Sequence, residues 1–520
     1  MDRRTFLGGT AALALAAPIA ARADGAAKVS SFSTRHTNWQ TAYDKALAVL
    51  AGNVRVVAEG GKPVLIEGSV YNGIWMECGP LEALVYRKIR PDVARNSHMI
   101  FFDLQRPDGQ IPANRRPTGT GFGQIQMVVP IAATAWELAR ATGDSELLAR
   151  AYESCGRWDA WLRRWRDTRG TGLVEGFCTY DTGMDNSPRW RGIPNSTPDR
   201  DATRHADLPQ LPFLSPDLSA SMVGARRAMA AMAKALGKTS EADRWTEDSE
   251  TLRRKLIEKL WVAEDGAFYD LDAQGQYVRV RSDILSRVAS EHVPDAALFE
   301  TMWAKQLGNA GAFWGPYPLP SVAMDDPLFV RPIPRNSWGG AAQALTALRA
   351  GRWLDHYGRT IEFARMMDAW CAAIVRDPTF RQQIDPLTGA FTQEDAPDYS
   401  PAALVLMDYT WRLAGVRETD DGLEWNVRPG HPATQAARFV LPLDGGGTAE
   451  MRYDMKGADL ILSGKPIGRI EGVARLMTDL NGKPLQIVGV SDKSQSIVLR
   501  LRGRPPQPLA VAGNRTINVT

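Results

Sequence analysis

The 520-residue chain has few of the residues that build metal centres, disulfide frameworks or nucleic-acid interfaces. It contains four scattered cysteines without a CxxC pair and six histidines without an HExxH motif, so neither a disulfide framework nor a common zinc motif is indicated. The charges nearly balance, with 62 Lys and Arg against 59 Asp and Glu and no long run of either sign. This balance disfavours nucleic acid as a partner and favours a neutral ligand.

Calcium-binding loops and cofactor motifs are also missing. Asp199, Asp201 and Asp207 are close in sequence but lack the spacing of a calcium loop, so we interpret them as solvated loop acids. We therefore predict neither a metal nor a cofactor. Beyond the N-terminal segment, no apolar run is long enough to cross a bilayer, so no membrane anchoring is expected in the mature protein.

The N-terminal segment is typical of an export signal. It reads MDRRTFLGGTAALALAAPIAARADG, with a twin arginine at Arg3 and Arg4, a run of small apolar residues and an A-x-A site ending at Ala23. These features occur in the order of a twin-arginine signal, so a buried first helix is the weaker interpretation. We expect residues 1–23 to be removed and the mature protein, beginning near Asp24, to be periplasmic or secreted.

Residues 24–416 are predicted to form a helical domain. With 44% hydrophobic residues the chain can bury a large core. Apolar residues recur at spacings of three and four in segments such as VVPIAATAWELARATGD and SELLARAYESCGRWDAWLRRWRD, a pattern of amphipathic helices. Gly143 ends one helix and Ser145 can cap the next, and Ser240 repeats this arrangement. The repeating unit is thus a helical hairpin, and roughly a dozen helices favour an array of hairpins over a single bundle.

The pattern changes after Gly415. Short alternating runs such as DGLEWNVRPG, TAEMRYDM and SIVLRLRG close on Gly or Asn-Gly, which is typical of antiparallel strands. Residues 417–520 are therefore predicted to form a small antiparallel β-sandwich.

Long loops rich in Gly, Pro and aromatic residues separate the hairpins, and loops of this length in a compact domain are usually functional. If the hairpins form a closed ring, these loops gather at one end, where aromatic faces can stack on sugar rings and polar groups can bind hydroxyl groups. A single tryptophan is more often a packing residue, but the concentration of such residues in loops favours a carbohydrate site. The candidates are the aromatic residues Tyr71, Trp75, Trp190, Trp314, Tyr317 and Trp338 and the polar residues Gln105, Gln126, Asn186, Arg189 and Arg335.

The order of several segments resembles glycoside hydrolase family 63 and its mannosylglycerate-hydrolase-like relatives, with the trehalases of family 37 as more distant kin. The matching segments include YNGIWMECGPLEALVYRKIRPDVARNSHMIFFDLQRPDGQIP, GLVEGFCTYDTGMDNSPRW, RNSWGGAAQALTAL and DPLTGAFTQEDAPDYSPAALVL. The resemblance covers most of residues 36–415, and TGMDNSPRW is its most specific element. It implies a mainly α fold, an (α/α)6 toroid of helical hairpins, and an inverting mechanism on an α-linked sugar.

In that family the acid of the GMDNSPRW motif is the general acid, which assigns this role to Asp185. The chemistry agrees, because inversion needs one protonated carboxyl beside the leaving oxygen and a second carboxylate about 6.5–9.5 Å away. We expect desolvation against aromatic walls such as Trp190 to keep Asp185 protonated; its structural alternative is a capping acid at a loop bend. Asp181 suits substrate hydrogen bonding or a local turn equally well.

Two positions depart from the family pattern. Relatives have a sugar-binding aspartate in a W-x-W-D-like stretch, where this chain has Glu77 in WMEC, and Glu77 is expected to substitute. Relatives carry the general base as a glutamate just after D-P-x-T-G, and here that position is Ala390. The base is then expected among Glu394, Asp395 and Asp398. Glu394 is our choice because it reaches furthest, whereas Asp398 suits helix capping or substrate binding as well as catalysis.

The predicted function is therefore an exported glycoside hydrolase, inverting and exo-acting on an α-linked oligosaccharide or glycoconjugate. A polysaccharide lyase is an alternative, disfavoured by the scarcity of loop histidines, with His205 the main exception, and by the lack of a basic cleft. A catalytically silent carbohydrate-binding protein is another, made plausible by Ala390. The identity of the sugar and the oligomeric state stay open, because loops whose lengths differ between specificities build such pockets.

Overall fold

The computed structural model describes residues 29–334, 336–393 and 395–519. The expected signal peptide, Arg335 and Glu394 lie outside these ranges. Among the described helices, none combines the length and the apolar character that a membrane span requires.

Helices dominate the chain as far as Ala414. Their bounds are α1 (Thr37–Gly52), α2 (Gly79–Tyr86), α3 (Pro91–Asp103), α4 (Ile131–Thr142), α5 (Ser145–Trp165), α6 (Pro216–Ala235), α7 (Thr239–Leu260), α8 (Ile284–Ser290), α9 (Ala296–Met302), α10 (Ala344–Arg349), α11 (Gly351–Leu354), α12 (Thr360–Arg376) and α13 (Ser400–Ala414). Consecutive helices pack as pairs, namely α4 with α5, α6 with α7 and α12 with α13, and the first helix packs against the last.

The join between α4 and α5 explains how these pairs form. Gly143 adopts φ 67°, a left-handed conformation that ends a helix and that glycine adopts without steric cost. The carboxylate of Asp144 then accepts a hydrogen bond of 2.8 Å from the backbone N–H of Leu147. The cap is therefore Asp144, one residue before the predicted Ser145, and α7 likewise begins at Thr239, before the predicted cap Ser240.

Short strands precede α1 and lie in the loops between the helices. They are β1 (Ser31–Ser33), β2 (Val54–Arg55), β3 (Val64–Leu65), β4 (Ile74–Trp75), β5 (Asn114–Arg116), β6 (Gly119–Gly121), β7 (Glu175–Gly176), β8 (Phe213–Leu214), β9 (Trp261–Val262), β10 (Ala267–Phe268), β11 (Asp270–Leu271), β12 (Tyr277–Val278), β13 (Ala342–Gln343) and β14 (Gln383–Ile384). Strands β4, β5 and β6 form one small sheet, and β7, β8, β11 and β12 form another.

The C-terminal strands form two antiparallel sheets. Their bounds are β15 (Val416–Thr419), β16 (Gly422–Val427), β17 (Arg438–Pro442), β18 (Thr448–Tyr453), β19 (Gly457–Leu462), β20 (Lys465–Glu471), β21 (Ala474–Thr478), β22 (Pro484–Val488), β23 (Gln495–Leu501), β24 (Gln507–Val511) and β25 (Thr516–Asn518). The seven-stranded sheet has the order β1-β17-β18-β19-β20-β23-β24, and the five-stranded sheet has the order β15-β16-β21-β22-β25.

The N-terminal strand β1 belongs to the larger C-terminal sheet. It pairs antiparallel with β17, with Phe32 opposite Phe439. The Phe439 ring contacts Phe32 with centroids 4.7 Å apart and Trp411 of α13 with centroids 5.2 Å apart. All three rings are buried in one continuous core, so the sheet is fixed to the last helix by shared apolar packing. The sequence analysis did not predict β1, because three residues carry too short an alternating pattern.

Candidate active site

The loops between the helices enclose a cleft of about 440 Å³, a volume in the range of small-molecule sites. Its charged side chains fall into an acidic set of Glu67, Glu77 and Asp185 and a basic set of Arg106, Arg116 and Arg200. The arginines are exposed, whereas Glu67 is buried. The remaining lining includes the aromatic residues Tyr71, Trp75, Phe122, Tyr180 and Trp338 and the amides Asn114, Gln124, Gln126 and Gln382.

Asp185 is held in the cleft by the segment that contains Asn336 and Trp338. The backbone N–H of Trp338 donates a hydrogen bond of 3.0 Å to the backbone oxygen of Asp185, and Asn336 Nδ2 lies 3.4 Å from Asp185 Oδ2. Asn186 Nδ2 completes the join by donating to the backbone oxygen of Asn336. Burial raises the pKa of Asp185 to about 6, although the hydrogen bond from Asn336 opposes this shift.

The loop that carries Asp185 is anchored by Asp181. The Asp181 carboxylate forms a fully buried ion pair with Arg166 and accepts backbone hydrogen bonds from Ile125 at 2.9 Å and Phe177 at 2.7 Å. All of its hydrogen-bonding capacity is thus used inside the protein. Of the two expectations for Asp181, the structure selects the local structural role over contact with substrate.

Arg189 provides a second anchor for the loop. Its guanidinium is fully buried and forms paired hydrogen bonds with Asp217 and with Asp270, at 2.6–3.0 Å. The neighbouring Trp190 stacks on Phe213 with centroids 5.1 Å apart. Neither side chain lines the cleft. This corrects the expectation that Arg189 and Trp190 contact substrate, and Trp190 is not the wall that desolvates Asp185.

Glu77 lies against the same loop at Gly183. A Cβ atom added to Gly183 would be only 1.6 Å from Glu77 Oε2, and Gly183 has φ 62°. Glu77 Oε2 is buried without a hydrogen-bond partner, while the side chain as a whole is partly exposed to the cleft. The glycine of the TGMD motif therefore makes room for the Glu77 carboxyl.

Glu67, Glu77 and Cys78 form a close acidic group. One carboxylate oxygen from each glutamate and the thiol sulfur of Cys78 lie within 4.8 Å of one another. Burial, together with the charge of Glu82, raises the pKa of Glu67 to about 8, although a hydrogen bond from Tyr399 opposes the shift. Burial and the charge of Glu67 raise the pKa of Glu77 well above its usual value, and burial does the same to the pKa of the Cys78 thiol. Burial and the mutual proximity of these groups therefore favour their protonated forms over the ordinary situation in water.

Other predicted site residues are distributed between the cleft and the surrounding structure. Among the expected binders, Tyr71, Trp75, Glu77, Gln126 and Trp338 line the cleft together with Asp185. Asn186, which is exposed, contributes through its hydrogen bond to Asn336 and not as a lining residue. Arg335 and Glu394 lie outside the described residues.

Several expected binders have purely supporting positions. Gln105 donates hydrogen bonds to the backbone oxygens of Gly109 and Ser154, so its amide is engaged away from the cleft. Trp314 packs against Trp303 with centroids 5.1 Å apart. These contacts correct the assignment of Gln105 and Trp314 to substrate binding; Tyr317 is likewise absent from the cleft lining.

The acids Asp395 and Asp398 are exposed and do not line the cleft. The backbone oxygen of Asp398 accepts a hydrogen bond from Asn53 Nδ2, and its backbone has φ 64°. Its backbone N–H donates a hydrogen bond to the backbone oxygen of Thr379, so Asp398 is held just before α13 and does not line the cleft as the substrate contact we expected.

Sequence reasoning missed Glu67 and Gln382. Glu67 follows the apolar residues of the run VLIE. A single acidic residue at the end of such a run could have indicated a buried functional group. Gln382 lines the cleft, and its Oε1 accepts a hydrogen bond of 2.8 Å from the Tyr71 hydroxyl. Its position in an RQQ run gave no periodic or motif signal.

A cleft with carboxyl groups and aromatic walls, built on paired helices, is the kind of site that glycoside hydrolases use. The chain belongs to the mannosylglycerate hydrolase MGH1-like glycoside hydrolases, because the model of that domain matches residues 71–411. The family assignment confirms the resemblance identified in the sequence, and with it the expectation of a glycosidase enzyme.

Individual relatives agree with this assignment. The chain is 24% identical over 408 residues to a mannosylglycerate hydrolase of Rubrobacter radiotolerans, covering 65% of this chain and 90% of that protein. A mannosylglycerate hydrolase of family 63 from Thermus thermophilus, solved in complex with Tris, is 20% identical with a TM-score of 0.56, covering 70% of this chain and 99% of that one. The neutral trehalase of Saccharomyces cerevisiae is 16% identical with a TM-score of 0.52, covering 70% and 80%. These likenesses establish an (α/α)6-type glycosidase fold.

Proposed function

We propose that the protein is an exported, inverting α-glycosidase that removes a terminal sugar, with Asp185 as the general acid. The observation that carries the proposal is the position of the Asp185 carboxyl in the cleft, where burial raises its pKa to about 6. A carboxyl with a raised pKa keeps its proton closer to neutral pH and can transfer it to a leaving oxygen. The helical hairpins close as a ring in this proposal, and the packing of α1 against α13 supports it.

The small size of the cleft supports exo action. A volume of about 440 Å³ suits a terminal sugar and a short attached group. The aromatic residues Tyr71 and Trp75, whose rings meet edge to face at 5.9 Å, are available to pack against the sugar ring.

The group attached to the sugar is proposed to be anionic. Arg106, Arg116 and Arg200 line the cleft and are exposed, and arginine suits the recognition of carboxylates. The relatives named mannosylglycerate hydrolases suggest a sugar joined to a small organic acid as the substrate class. A sugar glycosidically linked to a hydroxy acid is therefore preferred over the same sugar linked to a neutral alcohol.

Asp185→Asn tests the assignment of the acid. The amide preserves the shape of the side chain but cannot donate the proton, so kcat on an unactivated α-glycoside should fall by about 10²–10⁴-fold. Turnover of the corresponding dinitrophenyl glycoside should fall much less, because that leaving group departs without protonation. The measurement is release of reducing sugar from α-mannosides and α-glucosides of hydroxy acids and of neutral alcohols.

Asp243→Asn is the matched control, because Asp243 is an exposed carboxyl of α7 away from the cleft. It should retain the wild-type rate. Equal rates for Asp185→Asn and wild type on the unactivated substrate would refute the role of Asp185, and a wild-type protein that binds these glycosides without turnover would instead support a silent carbohydrate-binding protein.

A further inference from the structure

The cleft contains carboxyl groups besides Asp185, although Ala390 stands at the position where relatives carry the general base. In the described part of the loop after Ala390, the acids Asp395 and Asp398 are exposed and do not line the cleft. Among the described residues, the carboxyl groups that line it, apart from Asp185, belong to Glu67 and Glu77. An inverting reaction requires a carboxylate that takes a proton from water, and Glu67 and Glu77 are the candidates that the described residues place in the cleft.

We propose that Glu67 is the general base of this enzyme, and this inference rests on the proposed function with Asp185 as the acid. The base has in this proposal moved from the loop that follows the DPLTG turn to the segment that lies directly against that loop. Glu77 is the sugar-binding neighbour of Glu67.

The backbone around Glu67 joins it to the end of the loop. The backbone N–H of Ser400 donates a hydrogen bond of 2.8 Å to the backbone oxygen of Glu67, and Gly68 forms a β-bridge with Tyr399. A Cβ atom on Gly68 would lie 2.6 Å from the backbone oxygen of Asp398. Glu67 therefore lies on the same side of the cleft as this loop. Gly68 has no Cβ atom and so permits the two segments to approach closely.

The side chain of Glu67 is fixed by Tyr399. The Tyr399 hydroxyl donates a hydrogen bond of 2.6 Å to Glu67 Oε1, and both residues are buried. This bond favours the ionised form of Glu67 and restricts its rotation, which a base that must orient a water molecule requires. Tyr399 is therefore a positioning residue for Glu67.

Glu77 is less suited to the role of base. Its Oε2 is buried against Gly183 without a hydrogen-bond partner, an arrangement that disfavours a negative charge on this carboxyl. Since a carboxylate oxygen of Glu67 lies within 4.8 Å of a carboxylate oxygen of Glu77, the two carboxyl groups do not readily ionise together. The hydrogen bond from Tyr399 favours the charge on Glu67, whereas the pKa of Glu77 stays well above its usual value although the charge of Arg287 and a hydrogen bond from Gln126 oppose this shift.

The reaction then balances as follows. Glu67 removes a proton from water as the water oxygen forms a bond to the anomeric carbon from the face opposite the leaving group. The bond between the anomeric carbon and the glycosidic oxygen breaks, and its electron pair stays on that oxygen, which takes the proton of Asp185. The products are a sugar of inverted configuration and a free alcohol, and Glu67 returns its proton to solvent while Asp185 regains one.

The pKa values of the two groups fix the shape of the pH profile. Burial raises the pKa of Asp185 to about 6 and that of Glu67 to about 8, so the form with a proton on Asp185 and a charge on Glu67 is the minor one of the singly protonated pair. Activity should rise through the lower pKa, as the doubly protonated form disappears, and fall through the higher one, as the last proton leaves. Glu67→Gln should abolish the acidic limb, because its residual turnover needs no ionised base, and should leave an alkaline limb set by the proton of Asp185.

Glu67→Gln is the direct test. Its kcat on the unactivated α-glycoside should fall by about 10²–10⁴-fold, and added azide should restore part of the turnover by forming a glycosyl azide of inverted configuration, because azide needs no base. Asp185→Asn should not gain turnover from azide on the same substrate. Asp395→Asn and Asp398→Asn, which alter exposed acids of the adjacent loop, are the matched controls and should retain the wild-type rate.

Tyr399→Phe is the second test and keeps the carboxyl of Glu67. Loss of the hydrogen bond raises the pKa of Glu67, so the alkaline limb of kcat/KM should move to higher pH and the maximum rate should fall.

An unchanged limb in Tyr399→Phe, or wild-type activity in a folded Glu67→Gln protein, would overturn the proposal while leaving the glycosidase assignment in place. A Glu67→Gln protein that keeps dinitrophenyl glycoside turnover and ignores azide would make Glu67 the acid. Absence of all hydrolysis in the wild type would defeat both proposals.

Discussion

Gly183 shows how a single residue without a side chain can determine the chemistry of its neighbours. Its backbone has φ 62°, and the space that a Cβ atom would occupy is filled by the Glu77 carboxyl. Because Asp185 lies two residues further along, the same turn that places the proposed acid in the cleft also leaves space there for the Glu77 carboxyl. The specificity of the TGMD motif therefore has a steric cause.

Gly183→Ala should damage both stability and activity. The left-handed backbone costs about 1–2 kcal/mol for a residue with a Cβ atom, and the new methyl group must displace Glu77. We expect a lower Tm and a loss of kcat. Gly192→Ala is the matched control, since Gly192 has φ 79° with no atom within 4 Å of the added Cβ. A similar loss of kcat in both variants would show that the contact with Glu77 has no catalytic consequence.

At the scale of elements, the loop of the GMDNSPRW motif is held by buried ion pairs. Arg189 lies between Asp217 at the start of α6 and Asp270 of β11, and Arg166 at the end of α5 holds Asp181. The loop has little regular hydrogen bonding of its own, so its shape depends on these side chains. The Arg-Trp pair was identified as specific from the sequence, but its role is support for the acid.

Arg189→Leu should therefore destabilise the protein strongly. Removing one partner of a buried ion pair leaves uncompensated charges and typically costs about 3–5 kcal/mol. Chemical denaturation should show this loss in the free energy of unfolding, with kcat reduced because the loop of Asp185 loses an anchor. The exposed pair Arg204–Asp199 supplies the control, and Arg204→Leu should cost less than about 1 kcal/mol. Equal effects of the two variants would contradict the structural role of Arg189.

The elements were more predictable than the site. Apolar periodicity identified the helices, and Gly143 marked a hairpin join correctly, because these signals act within a few residues. Glu67, by contrast, acquires its environment from Tyr399, more than 300 residues away in sequence, and no local pattern reports such a contact. Arg189 and Trp190 were assigned to the substrate for the same reason, since a motif shows which residue types occur but not which way their side chains point.

At the scale of the whole molecule, we propose that export follows the twin-arginine route. Arg3→Lys combined with Arg4→Lys should leave full-length precursor in the cytoplasm, because the pair of arginines is the feature that this route recognises. Cell fractionation with an antibody against the mature protein measures the result. A lysine substitution at Arg22, outside the twin-arginine pair, is the control and should leave export intact. Normal export of the double variant would exclude this route.

The pairing of β1 with β17 also has a consequence for synthesis on the ribosome. The partner of Phe32 is made about 400 residues later, a delay of roughly 20–80 s at about 5–20 residues per second. During that time the first strand next to the expected cleavage site has no native partner. A chain that stops before Arg438 can never supply one, so closure of this sheet distinguishes a finished polypeptide from a truncated one.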